Sequence, residues 1–91
     1  MTIDPVDPRR NKIEAQVRTI IQDICPGAPV ADEADLVEDL GIDSVAMMTL
    51  ILRVEGQFEV ILGGKEMEAG VLKTARNLVD FLVSLSKQEQ R

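Results

Sequence analysis

Glu38-Asp39-Leu40-Gly41-Ile42-Asp43-Ser44-Val45-Ala46-Met47-Met48 runs from an acidic, glycine-containing loop into an apolar stretch with helical spacing, and the Ser44 hydroxyl stands at the junction. Downstream, Met47, Leu50, Ile51, Val54 and Phe58 recur at the i, i+3, i+4, i+7, i+11 positions of one helix face, which predicts a helix from Ser44 to about Phe58. Val45, Met48 and Leu52 form a second apolar strip beside it. More than half the circumference is then nonpolar, so part of it stays at the surface. Gly56 within this helix weakens it by about 1 kcal/mol relative to Ala, which predicts a bend, close packing or an early helix end nearby.

Upstream, the interval from Gly27 to Asp43 contains Pro29, Gly41 and six carboxylates, with Val30, Leu36, Leu40 and Ile42 among them. It reads as a long loop pinned to the core by single aliphatics, and loops of such length in small domains are usually functional. Before it, Asp7-Pro8 is a helix start, with Asp as N-cap and Pro at the first helical position. Ile13, Val17, Ile20, Ile21 and Ile24 make an apolar stripe opposite Arg9, Arg10, Lys12, Glu14 and Arg18, and Pro26-Gly27 ends the helix. After the second helix, Gly63-Gly64 breaks the pattern and Lys65 to Ala69 predicts a short helical turn. Thr74 then caps a last helix whose Leu78, Phe81, Leu82 and Leu85 face inward. Alternation at Phe58-Glu59-Val60-Ile61 is too brief for a sheet.

The fold class is therefore all-α: a small antiparallel four-helix bundle, three main helices plus a short third one. The 91 residues allow one domain, with a core over about 8–86 and polar tails at 1–7 and 87–91. Only Phe58 and Phe81 are aromatic, so Leu, Ile, Val and Met fill the core.

Ten basic against sixteen acidic residues give a net charge of -6, which disfavours nucleic acid and anionic membranes as partners. The chain has no histidine, which excludes histidine-based catalysis. Cys25 has no second cysteine to pair with and reads as a small buried thiol. The longest apolar stretch, Val45 to Leu52, is far short of the ~20 residues that span a bilayer. Neither a signal sequence nor a membrane span is expected, and cytoplasm is the expected location. Met48 and Met67 are modest interface candidates, and Glu55 reads as a solvated helix residue.

A helix N-terminus offers free N–H groups and the positive end of the macrodipole, which suit a phosphodiester on Ser44. Gly41 permits backbone geometry closed to other residues, and Asp43 is suited to help hold a divalent metal during transfer of such a group.

Leu40-Gly41-Ile42-Asp43-Ser44-Val45 resembles the phosphopantetheine site of the acyl carrier protein family, in which Leu-Gly-x-Asp-Ser-Leu precedes a long second helix. The resemblance runs from about Ile13 to Leu85 and includes the helix order, the acidic loop, Glu55 and Phe58 late in the second helix, and Thr74 before the last. It implies a stand-alone, noncatalytic carrier, monomeric and cytoplasmic, with Ser44 bearing a covalent 4'-phosphopantetheine arm from coenzyme A. It also implies that helices I, II and IV pack together and that an acyl chain enters the aliphatic core. Implied partners are a phosphopantetheinyl transferase and a ketosynthase, acyltransferase or ligase of fatty-acid, polyketide or specialised lipid biosynthesis. Implied partner contacts are Glu38, Asp39, Val45, Ala46, Met48, Leu52 and Glu55.

Fatty-acid carriers typically show several carboxylates on the second helix, where this chain has Ala46, Thr49, Gly56 and Arg53. Acidity lies instead before the serine, at Glu33, Asp35, Glu38, Asp39 and Asp43. Less ionic partner contact and a specialised pathway are therefore expected, with the loop providing steering. Val45 stands where most relatives have Leu. Peptidyl carriers commonly have Gly-Gly-His-Ser or Gly-Gly-Asp-Ser here, so Gly-Ile-Asp-Ser fits acyl carriers better, with aminoacyl cargo the alternative. A different class of reading is a helical adaptor that binds a partner helix through Val45, Met48 and Leu52, with Ser44 only a helix cap.

Overall fold

The computed structural model describes residues 8–27 and 33–89, with side chains through 86. Four helices follow in order: α1 Pro8–Ile24, α2 Ser44–Phe58, α3 Gly64–Glu68 and α4 Ala75–Glu89. No strand occurs among the described residues; the only β-type pairing there is a single bridge between Asp35 and Thr74. Val30 and the expected cap Asp7 lie outside the described residues.

Helix α1 is the central element, packing against both α2 and α4. Its stripe buries Ile13, Val17, Ile20 and Ile21, while Ile24 and Cys25 pack half-buried at its end. A cleft of about 400 Å³ brings Arg9, Lys12 and Ile13 together with Gln57 and Phe58 of α2 and with Leu82, Leu85 and Ser86 of α4. The start of α1 therefore meets the ends of α2 and α4. Helix α1 is antiparallel to both, which makes α2 and α4 run the same way. Returning the chain from the end of α2 to the start of α4 is the work of α3 and its flanking turns.

Helix α2 buries Leu50 and Val54 completely, with Met47, Ile51 and Phe58 half-buried beside them. Gly56 neither ends the helix nor lets another element pack close, since no atom lies within 4 Å of where its Cβ would be. The helix ends at Phe58, and Glu59 turns left-handed at φ 57° and ψ 48°. Glu55 is half-buried, unlike the solvated residue expected: its Oε2 accepts the Leu62 N–H at 2.8 Å and ties the loop after α2 back to the helix.

Helix α3 starts one residue earlier than predicted, at Gly64. Thr74 caps α4 as expected, its Oγ1 accepting the Asn77 N–H at 3.0 Å. Leu78 and Leu82 are buried and Phe81 and Leu85 half-buried. Ala75, Val79 and Val83 are also buried, because α4 faces α1 on one side and the connection from α3 on the other, where Val71 and Leu72 join the core.

Candidate functional site

The loop before Ser44 is an ordered turn. Leu36 and Ile42 are fully buried, and the Ile42 N–H donates to the Leu36 carbonyl at 3.0 Å, so both ends of the turn are held by apolar anchors. Gly41 between them has φ +74°, the left-handed region that side chains disfavour, and this lets its N–H reach the Val37 carbonyl at 3.1 Å. Leu36 also donates its N–H to the Lys73 carbonyl, which fastens the loop to the start of α4.

Asp35 organises this turn, a role the sequence reading missed. Its Oδ1 accepts the N–H groups of Val37 and Glu38, both at 2.9 Å, and its Oδ2 accepts from Lys73 Nζ at 2.9 Å. The Glu38 amide foremost, then Lys73, holds the Asp35 carboxyl below its ordinary pKa; Asp35 in turn raises that of Lys73. An Asp bonding the amides two and three residues ahead is the Asx-turn signal that locates it in sequence.

The loop carboxylates are largely committed inside the molecule. Asp39 Oδ2 accepts the Asp35 N–H at 2.8 Å, Glu33 pairs with Arg76 at 2.9 Å, and Asp43 Oδ1 accepts the Ala46 N–H at 2.8 Å. Among the described residues Glu38 alone of the five expected steering groups has a carboxylate with no hydrogen bond or ion pair to another side chain or amide.

Asp43 is the N-cap of α2, in extended conformation at φ -87°, and Ser44 is the first helical residue. The reading of Ser44 as only a cap is thereby corrected. The cap bond belongs to its neighbour, because the carboxylate one residue earlier reaches the third amide of the helix, as capping geometry requires. Ser44 is exposed, with its hydroxyl unengaged among the described residues. The Ser44 and Val45 amides, in the first turn, have no carbonyl four residues back within the helix to accept them. An exposed hydroxyl, two such amides and the open left-handed Gly41 fit a phosphodiester at this point.

Beside Ser44, Val45 is 75% exposed, Met48 56% and Leu52 60%, while Ala46 is half-buried. Val37, Ile61 and Met67 are the other large exposed apolar residues. Glu38 and Asp39 are exposed on the loop side; Glu55 lies near the far end of α2 and faces the following loop. Fourteen residues of helix separate Ser44 from Phe58 at the cleft, about 20 Å along α2. Among the described residues no cluster of three His, Cys, Asp or Glu is arranged to hold a metal ion, and no helix is long and apolar enough to cross a membrane.

Residues 15–82 match the model of a family described as "Phosphopantetheine attachment site". The chain belongs to that carrier family. Acyl carrier proteins are similar to it: one from Desulforapulum autotrophicum is 32% identical over 73 residues, covering 77% of this chain and 92% of the relative. Another from Myxococcus xanthus is 38% identical over 55 residues, covering 60% and 67%. The aminoacyl carrier protein 2 of Bradyrhizobium diazoefficiens is 38% identical over 53 residues, covering 58% of each chain. This carrier bears a covalent 4'-phosphopantetheine arm, and the family works with phosphopantetheinyl transferases and acyl-handling enzymes without being catalytic itself.

Proposed function

We propose that Ser44 is the residue that bears the 4'-phosphopantetheine arm, and that the carrier tethers acyl intermediates on it as thioesters for biosynthetic enzymes. The observation that carries this reading is the exposed Ser44 hydroxyl at the first position of α2, relieved of capping by Asp43. Gly41 and Asp43 prepare the site: the glycine gives the loop its turn, and the carboxylate fixes the first turn of α2 beneath the hydroxyl. The bound arm supplies a terminal thiol on a flexible tether. The protein supplies attachment, local charge and partner recognition, and performs no bond chemistry.

Residues 1–91 act as one carrier domain, monomeric and cytoplasmic. Its partners are a phosphopantetheinyl transferase and a ketosynthase, acyltransferase or ligase of a specialised lipid, polyketide or fatty-acid pathway. They meet the carrier at Glu38, Asp39, Val45, Ala46, Met48 and Leu52. Glu55, committed to the Leu62 amide, acts there only by shaping the following loop. Aminoacyl cargo is the second reading, favoured by the similarity to an aminoacyl carrier protein.

The test is intact mass after incubation with coenzyme A, magnesium and a broad-specificity phosphopantetheinyl transferase. The expected result is one added phosphopantetheine on the wild type and none on Ser44→Ala. Addition to Ser44→Ala refutes the residue, and no addition to the wild type refutes loading of this chain by that route. Loading of the holo form by acyl against aminoacyl donors separates the two cargo classes.

A further inference from the structure

We propose that the face of α2 opposite the core is the seat of the enzyme that modifies Ser44, and that this seat is apolar and not ionic. The proposal rests on Ser44 being the attachment residue. At 100° per residue, Val45, Met48, Thr49, Leu52 and Gly56 fall within about a third of the helix circumference, directly opposite the buried Leu50 and Val54. A surface helix ordinarily turns charge to solvent there. This one turns none: Val45, Met48 and Leu52 are all more than half exposed.

The charges that flank the stripe are already engaged. Arg53 on one side pairs with Asp23 of α1 at 3.2 Å, and Glu55 on the other holds the Leu62 amide. In the preceding loop, Glu33, Asp35, Asp39 and Asp43 are held by Arg76, Lys73 and backbone amides. Little negative charge is left to draw a basic patch, so the complementary surface is an apolar one without a cluster of Lys and Arg.

Gly56 is an independent pointer. It lies on the same stripe, has no left-handed φ, and meets no atom within 4 Å of a Cβ position, so nothing inside the fold requires a glycine that weakens the helix. Outside the fold, it leaves that end of the stripe flat for a close-lying surface. An enzyme that reaches the Ser44 hydroxyl must cover Val45 beside it and Met48 one turn on, which makes the Ser44-directed enzyme the occupant.

The experiment measures KM and kcat for the apo protein with a broad-specificity phosphopantetheinyl transferase, coenzyme A and magnesium. Leu52→Glu and Met48→Glu are expected to raise KM by about tenfold with kcat little changed, while Gln22→Glu on the exposed side of α1 leaves both unchanged. Wild-type KM is expected to rise less than about threefold when NaCl is raised tenfold. Helical circular dichroism of each variant shows that it is folded. Gly56→Ala, which favours the helix, is expected to raise KM as well, so the loss cannot come from unfolding. A wild type that is modified while the Glu variants keep their KM, or whose KM rises steeply with salt, overturns the apolar seat and leaves the attachment site standing. A wild type that is never modified overturns the attachment reading itself. Self-association lost in Leu52→Glu would make a second copy the occupant and also overturn the proposal.

Discussion

Exchanging Asp43 and Ser44 one at a time for Ala separates capping from attachment, two roles that adjacent residues divide. Asp43→Ala deletes the 2.8 Å bond from the Ala46 amide and leaves that donor without its helix-terminal acceptor. N-cap losses of this type cost about 1 kcal/mol. Unfolding entropy of ~2.1 cal/mol/K per residue over 91 residues makes about 0.2 kcal/mol/K, so Tm falls by about 5 °C. Ser44 at the first helical position makes no cap bond, and Ala is the better helix former, so Ser44→Ala changes stability by less than about 0.5 kcal/mol. Thermal unfolding followed by circular dichroism gives the stability, and intact mass after transferase treatment gives the attachment. The expected pattern is crossed: Asp43→Ala is less stable yet still modified, and Ser44→Ala is stable yet unmodified. A Ser44→Ala protein that loses as much stability as Asp43→Ala would refute the reasoning, because the hydroxyl would then be the cap.

Three further outcomes follow from the same geometry. Glu59→Gly removes a left-handed strain of about 1–2 kcal/mol against part of that lost to glycine's chain entropy, so the urea midpoint should rise by a net of about 0.5–1 kcal/mol; a fall would show that the Glu59 side chain contributes more than its backbone loses. Leu50→Ala, which opens a cavity in a fully buried site, should cost about 2–5 kcal/mol in urea unfolding, and a cost under ~1 kcal/mol would mean that the site collapses or is not core. Asp35 is held below its ordinary value of 3.8, so its contribution is complete above about pH 4 and disappears as pH falls through the depressed value. The stability deficit of Asp35→Asn at neutral pH should therefore shrink on acidification below about pH 4, and a deficit constant with pH would place its origin elsewhere.

Helix periodicity made most of the fold legible. The stripe Ile13, Val17, Ile20, Ile21 and the face Leu50, Val54 are buried as their spacing requires, and α2 has the predicted limits because Asp43 has a short carboxylate that reaches the third amide of the helix ahead. Ser44 was likewise visible as an exposed hydroxyl at a helix start. Local chemistry determines these features, since caps and amphipathic stripes depend on residues within a turn or two of each other.

What residue spacing does not encode was decided in three dimensions. Lys73 lies thirty-eight residues from Asp35 and Leu62 seven from Glu55, yet these contacts turn a long acidic loop into an anchored turn and a solvated helix glutamate into a loop fastener. Whether a carboxylate is available to a partner depends on which cation or amide packing brings to it. Whether Val45, Met48 and Leu52 are core or surface depends on which side of α2 faces α1. The sequence by itself determined the helices and the hydroxyl between loop and helix, and only the tertiary structure decided which charges and which apolar face around that hydroxyl remain open to another protein.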